Sequence, residues 1–138
     1  MKALITGHAQ FANGMKSALE LIAGPQEELQ VLPFDESTIL DEFQNLLVNF
    51  FDGEDDKVVF TDLFGGTPFN QAMLAKGNCS SNHVYSGTNL AMLLEFVTNQ
   101  MVNPDNPELL QKVEHSAKEG ITFDPHFAHE ESDESDGI

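Results

Sequence analysis

KVVFTDLFGGTPFN, residues 57–70, carries the reading of the fold. From Lys57 to Asp62 it is β-branched and aromatic with no polar alternation, the pattern of a strand buried on both faces. Gly65 and Gly66 then permit a tight turn, Thr67 can cap a helix, and Pro68 suits its first position. That helix is predicted to run to about Lys76, with Gly77 at its end. A doubly buried strand that turns directly into a helix is the unit of a parallel sheet, because parallel neighbours need crossovers and those crossovers cover both faces.

The same grammar repeats outward. Residues 2–6 form a short apolar strand ending at Gly7 and His8, after which Ala12, Met15, Ala18, Leu19 and Ile22 fall at helical spacing until Gly24 and Pro25. A second strand is predicted at Leu29–Phe34. From Ser37 to Phe51 an amphipathic helix follows, with Ile39, Phe43, Leu46, Leu47 and Phe50 inward and Thr38-x-x-Asp41 resembling a capping box. Asp52–Asp56 reads as a charged surface turn. Beyond the central stretch, a strand at His83–Ser86 leads through Gly87-Thr88-Asn89 into an apolar helix to about Gln100. A last helix is capped at Asn106-Pro107 and runs to Lys118, and Ile121–Phe123 can form a final short strand. Strands alternating with helices predict an α/β, doubly wound, mostly parallel sheet with helices on both faces.

Composition bounds the function. The 138 residues, 41% of them apolar, suit one domain with its own core, taken as residues 1–129, and an acidic, disordered tail over 130–138. There is one cysteine, Cys79, and no stretch that reads as a signal peptide or membrane span, so a cytoplasmic protein is expected. With 23 acids, six lysines and no arginine, the net charge is −17, which excludes nucleic acid as a natural partner because no cationic stripe can displace phosphate counterions. No G-x-G-x-x-G or G-K-[ST] loop is present, and no cofactor is expected.

In doubly wound sheets, ligands sit beyond the carboxyl ends of strands where the strand order reverses. His8 lies just past the first strand and Asp62 at the end of the third. An order beginning 2-1-3 would make these strands neighbours and open both side chains into one crevice. A neutral imidazole accepts a phosphoryl group well when one ring nitrogen is deprotonated and aimed. Asp62 accepting from Nδ1 would hold the tautomer that leaves Nε2 free and would stabilise the imidazolium that develops, the orienting role of the acid in a hydrolase triad. The Gly65-Gly66-Thr67 turn offers N–H groups and a positive helix end to phosphoryl oxygens.

Each feature alone also has an ordinary structural reading: a packed histidine, a turn-capping aspartate, turn glycines. Their convergence at adjacent strand ends is what points to chemistry. His83 reads as structural and His115 as a helix-surface residue. His126 and His129 stand three apart beside an acidic tail and could bind a metal, but one histidine pair without Cys or a fixed third ligand is a poor site signal, and no metal is expected. Cys79 reads as a small core or loop residue with no cation nearby to lower its pKa.

Thr6-Gly7-His8, the segment from Phe60 to Asn70, and Gly87-Thr88-Asn89 followed by Leu90, Met92 and Leu93-Leu94-Glu95 together resemble enzyme IIA of the mannose class of the bacterial sugar phosphotransferase system. The likeness runs over about residues 1–120. It implies a four-stranded parallel core in order 2-1-3-4, with a short C-terminal antiparallel strand exchanged between subunits of a homodimer, a role that Ile121–Phe123 fits. It also implies that His8 is phosphorylated on Nε2 by the phosphocarrier HPr and passes the group to a histidine of enzyme IIB, with membrane components following. Asp62 would orient His8; Gly65, Gly66 and Thr67 would bind the phosphoryl group; Gln10, Phe11, Phe64, Asn70, Thr88 and Asn89 would form the rim. Ala9-Gln10-Phe11 departs from the family, whose members often carry glycine after the histidine.

Three alternatives stand beside this reading. A receiver-like domain would carry the phosphoryl group on Asp62, but receivers place acids after strand one and a lysine after a later strand. A small-molecule or flavin module would need only the crevice. The phosphocarrier subunit of a dihydroxyacetone kinase system shares the fold and the histidine position.

Overall fold

A computed structural model of the chain describes residues 1–125. The acidic stretch 130–138, and His126 and His129, lie outside these residues. The described chain alternates strands and helices: β1 (Lys2–His8), α1 (Phe11–Ala23), β2 (Leu29–Phe34), α2 (Leu40–Phe50), β3 (Lys57–Phe60), α3 (Thr67–Lys76), β4 (Asn82–Tyr85), α4 (Leu90–Val102) and α5 (Leu109–Glu119). The strands form one parallel sheet in the order β2-β1-β3-β4. In register, Ile5 of β1 stands beside both Val31 of β2 and Phe60 of β3. The order reverses between β1 and β3, so the carboxyl ends of these two strands flank the crevice.

The unbroken apolar run of β3 is explained by a core on each face. Ala3, Ile5, Val58 and Phe60 pack with Leu19, Leu93, Phe96 and Val113 from α1, α4 and α5. Leu4 and Val59 point the other way, onto Phe43, Leu47 and Phe50 of α2 and Ala72 of α3. Period-two alternation is present in space, but both directions meet apolar partners. Each fully buried Phe or Leu contributes about 1.5–3 kcal/mol relative to exposure. Lys57 is also fully buried at the start of β3, and its ammonium donates to the carbonyls of Gly53 (3.1 Å) and Asp55 (2.6 Å), closing the acidic loop before the strand.

Several boundaries differ from the sequence expectation. No capping box forms at Thr38, because its hydroxyl accepts the Asp35 N–H (2.8 Å) and bonds Asp35 Oδ1, completing a turn with Ser37. Helix α2 therefore begins at Leu40 with Ile39 as an uncapped lead-in. Ile39 and Leu46, expected inward, are 58% and 53% exposed. Phe43, Leu47 and Phe50 alone make the buried stripe, and Leu46 falls on its flank. At α3 the N-cap is Gly66, and Thr67 is the first helical residue with no side-chain cap bond. Asn106 caps a turn ahead of α5 through the Glu108 N–H (2.9 Å), which delays that helix to Leu109. Ile121–Phe123 is not a strand within the described chain: Ile121 and Phe123 are 75% and 94% exposed, and a strand requires a neighbour to receive its backbone bonds.

Candidate functional site

His8 is the last residue of β1 and stands in register beside Phe34 of β2. Ala9 follows with φ at +52°, a left-handed turn that swings the chain into α1, and its N–H donates to Phe34 O (2.7 Å). This fixes the backbone from which the imidazole projects. The Phe34 ring supports the imidazole edge-on, with centroids 6.1 Å apart. Left-handed backbone costs a residue with a Cβ roughly 1–2 kcal/mol, a cost that a glycine at this position would not carry.

Asp62 enters from the end of β3. Its Oδ2 accepts both the His8 main-chain N–H (2.8 Å) and a bond from His8 Nδ1 (2.7 Å), and its Oδ1 accepts the Leu63 N–H (2.7 Å). The carboxylate is 13% exposed and the imidazole 48%. Burial by itself would push the Asp62 carboxyl up. The His8 main-chain and ring donors, the Leu63 amide and the His8 ring charge together outweigh it and hold the carboxyl below its ordinary value. Asp62 therefore stays ionised and acceptor-only, which in the neutral form of the ring selects the Nδ1–H tautomer and leaves Nε2 bare.

Two glycines leave room for this contact. A Cβ on Gly7 would lie 2.9 Å from Asp62 Cγ, 3.0 Å from Oδ2 and 2.7 Å from Phe11 Cδ2, so Gly7 lets the carboxylate reach the histidine and Phe11 lie against the strand end. A Cβ on Gly66 would lie 2.9 Å from His8 Cε1 and 3.6 Å from Nε2, so the α3 turn faces the open nitrogen. Gly7 was missed as a site residue by the sequence reading; the signal was its place directly before the histidine. Gly65 adopts φ +82°, and its carbonyl accepts from Asn70 Nδ2 (3.1 Å), which closes the turn onto the helix. Gly66 spends its own N–H on Leu63 O (3.0 Å). With Pro68 lacking an N–H, the donors at the start of α3 are the first-turn amides of Thr67 and Phe69, which have no intrahelical partner.

The remaining rim residues divide. Leu63 and Phe64 are 63% and 75% exposed on the turn, with the Phe64 ring on Phe69 at 5.0 Å. Gln10 accepts from Asn13 Nδ2 (3.0 Å) at the head of α1. Thr88 is buried with its hydroxyl on Thr61 O (2.7 Å), and Asn89 caps α4 through the Met92 N–H (3.0 Å) while donating to Ala117 O (2.9 Å). These last two have their polar atoms engaged inside the fold.

His83 lies at the opposite end of the sheet, in register with Val58; burial lowers its pKa against the pull of Asp56. Cys79 departs from expectation. It is exposed, and bonds from Ser81, aided by the charges of Lys57 and Lys76, lower its thiol pKa. Those cations come from β3 and the end of α3, folded beside it. Among the described residues, no helix is long and apolar enough to cross a membrane, and no three His, Cys, Asp or Glu side chains converge as metal ligands.

The chain is similar to known proteins over most of its length. The family model for the PTS system fructose IIA component, EIIA-man, matches residues 2–114. The sorbose-specific EIIA component of Lacticaseibacillus casei is 30% identical over 120 residues, covering 86% of this chain and 84% of that protein. The fructose-specific EIIA component of Bacillus subtilis (strain 168) is 29% identical over 100 residues, covering 69% and 67%. The crystal structure of the phosphotransferase system component EIIA from Streptococcus agalactiae superposes with a TM-score of 0.76 at 35% identity, covering 88% of this chain and 95% of that one. A family model matched over residues 2–114 and relatives of this identity and coverage show that the chain belongs to the mannose-class EIIA family of phosphotransferase system components.

Proposed function

We propose that His8 is the phosphoryl acceptor and donor of this component, and that it acts through Nε2. The observation that carries the reading is the 2.7 Å contact between His8 Nδ1 and Asp62 Oδ2, beside a turn that leaves Nε2 open. Phospho-HPr presents the incoming group. The lone pair on Nε2 attacks phosphorus as the bond to the HPr imidazole breaks, and that imidazole leaves with the electron pair. Positive charge develops on the His8 ring and Asp62 stabilises it. The first-turn amides of α3 and the Thr67 hydroxyl meet the equatorial oxygens without a cationic side chain. Weak anion binding suits a carrier, because the second transfer, to a histidine of enzyme IIB, must run as readily as the first.

Leu63 and Phe64 form an exposed apolar step beside the histidine and give both partners a place to dock. The acidic 130–138 stretch belongs, in this reading, to a tail outside a phosphocarrier domain of residues 1–129. Ile121–Phe123 pairs with a second subunit in a homodimer, and the protein works in the cytoplasm, meeting the membrane only through the transporter complex. Incubation with phosphoenolpyruvate, enzyme I and HPr tests the core of the reading. One phosphoryl group per chain is expected, abolished by His8→Ala. Labelling that persists in this variant moves the site elsewhere.

A further inference from the structure

Strand β3 ends at Phe60, two residues before Asp62, so the sheet ladder does not hold the aspartate. The β4–α4 loop does. The two peptide units flanking the Asp62 Cα are each anchored to it: Gly87 N–H donates to Asp62 O (2.8 Å), and Thr61 O receives both the main-chain N–H (3.1 Å) and the hydroxyl (2.7 Å) of Thr88. Because Thr61 C=O and Asp62 N–H share one planar unit, fixing that carbonyl fixes the plane from which the Asp62 side chain departs. Thr61 is fully buried and its own N–H and hydroxyl both end on Tyr85 O (2.8 and 2.6 Å), so this segment hangs from β4 and its following loop.

We infer that Thr88 is a positioning residue for His8, acting through the Thr61–Asp62 peptide to hold the carboxylate on Nδ1. The inference rests on the phosphoryl-carrier reading above and adds a buried hydroxyl that never meets the phosphoryl group. A buried hydroxyl needs an acceptor whatever its role; what sets Thr88 apart is where its bond ends, as a second donor on the one carbonyl that shares a peptide plane with Asp62, the residue whose angle sets the imidazole tautomer. Small losses of alignment at such a contact cost rate steeply.

The test compares Thr88→Val, which keeps volume and removes the hydroxyl, with Thr88→Ser, which keeps the hydroxyl. Two readouts are taken: the ¹⁵N shifts of the His8 imidazole without any partner, and the rate of phosphorylation by phospho-HPr. In the valine variant we expect the neutral ring to shift from the Nδ1–H toward the Nε2–H tautomer and the rate to fall about tenfold, both restored in the serine variant. Thr88→Ala gives the same test should the valine variant not fold. A valine variant with wild-type tautomer overturns the inference, whether or not its melting temperature falls. Failure of the wild-type chain to accept any phosphoryl group would instead defeat the carrier reading, since the tautomer measurement needs no partner.

Discussion

Oδ2 of Asp62 accepts two bonds from His8, one from the main-chain N–H at 2.8 Å and one from Nδ1 at 2.7 Å, so a single oxygen fixes both where the imidazole begins and which nitrogen it exposes. Strand adjacency makes this possible: β1 and β3 are neighbours in register, and each ends within two residues of its contribution.

Asp62→Asn keeps the shape but replaces the obligate acceptor with an amide that can present a donor to Nδ1. We expect the folded protein to survive and the phosphorylation rate to fall on the order of 10²–10⁴-fold, measured by rapid quench with phospho-HPr. Because folding lowers the Asp62 pKa, its contribution to stability is present above the unfolded-state value and is lost as pH falls through the lower, folded value. Acid denaturation of the wild type and Asp62→Asn should therefore converge at the acid end and separate toward neutrality; parallel curves throughout would contradict this.

Gly7→Ala places a methyl within 3.0 Å of the Asp62 carboxylate and against Phe11. Something must shift, and we expect a loss of about 1–3 kcal/mol in urea denaturation together with slower transfer. Gly14→Ala is the control: it lies in α1 with nothing within 4 Å of the new methyl, and should gain about 0.5–1 kcal/mol.

Gly66→Ala aims its methyl at His8 Cε1, 3.6 Å from Nε2. Because the methyl also lies 3.2 Å from the Leu63 carbonyl oxygen, some loss of stability, about 1 kcal/mol, is expected together with phosphoryl acceptance at least tenfold slower. A wild-type rate would show that the incoming group does not approach past the α3 turn.

Phe64→Ser removes an exposed ring from the turn beside His8. Stability should change by no more than about 0.5 kcal/mol, because the ring is mostly in water. The KM for phospho-HPr is expected to rise several-fold with kcat little changed. A change in kcat alone would place Phe64 in the transfer step instead of in docking.

Ala9 holds a left-handed φ of +52° directly after the histidine. In Ala9→Gly the relief of about 1–2 kcal/mol of strain is partly offset by about 0.4–1 kcal/mol of unfolded-chain entropy, so thermal unfolding should show a small gain. A marked loss of stability would mean that the Ala9 methyl packs in a way its backbone conformation does not reveal.

Much of this architecture was legible in residues 57–70 and in the repeated strand-turn-helix pattern, because a run such as Val58-Val59-Phe60 has no polar face to give to solvent. The meeting of His8 and Asp62 followed from the topological rule for doubly wound sheets. Other features depended on choices that local patterns do not decide. Thr38 had two partners available and took the Asp35 turn over the helix end. Gly66, lacking a side chain, became the N-cap of α3 where Thr67 offered a hydroxyl. The cations near Cys79 come together only in the folded chain, and although Gly7 stands directly before His8 in the sequence, only the fold shows that a Cβ there would meet the Asp62 carboxylate. Ile121–Phe123 has strand composition, but a strand is a property of a pair.

The most direct measurement is the identity of the phosphorylated atom. The chain, phosphorylated by HPr and kept at alkaline pH, would be examined by ³¹P and ¹⁵N NMR with selectively labelled histidine. A single base-stable, acid-labile phosphoryl group on Nε2 of His8, with Nδ1 protonated against Asp62, is the expected result. A phosphoryl group on Nδ1 of His8, or a base-labile acyl phosphate on Asp62, would contradict it.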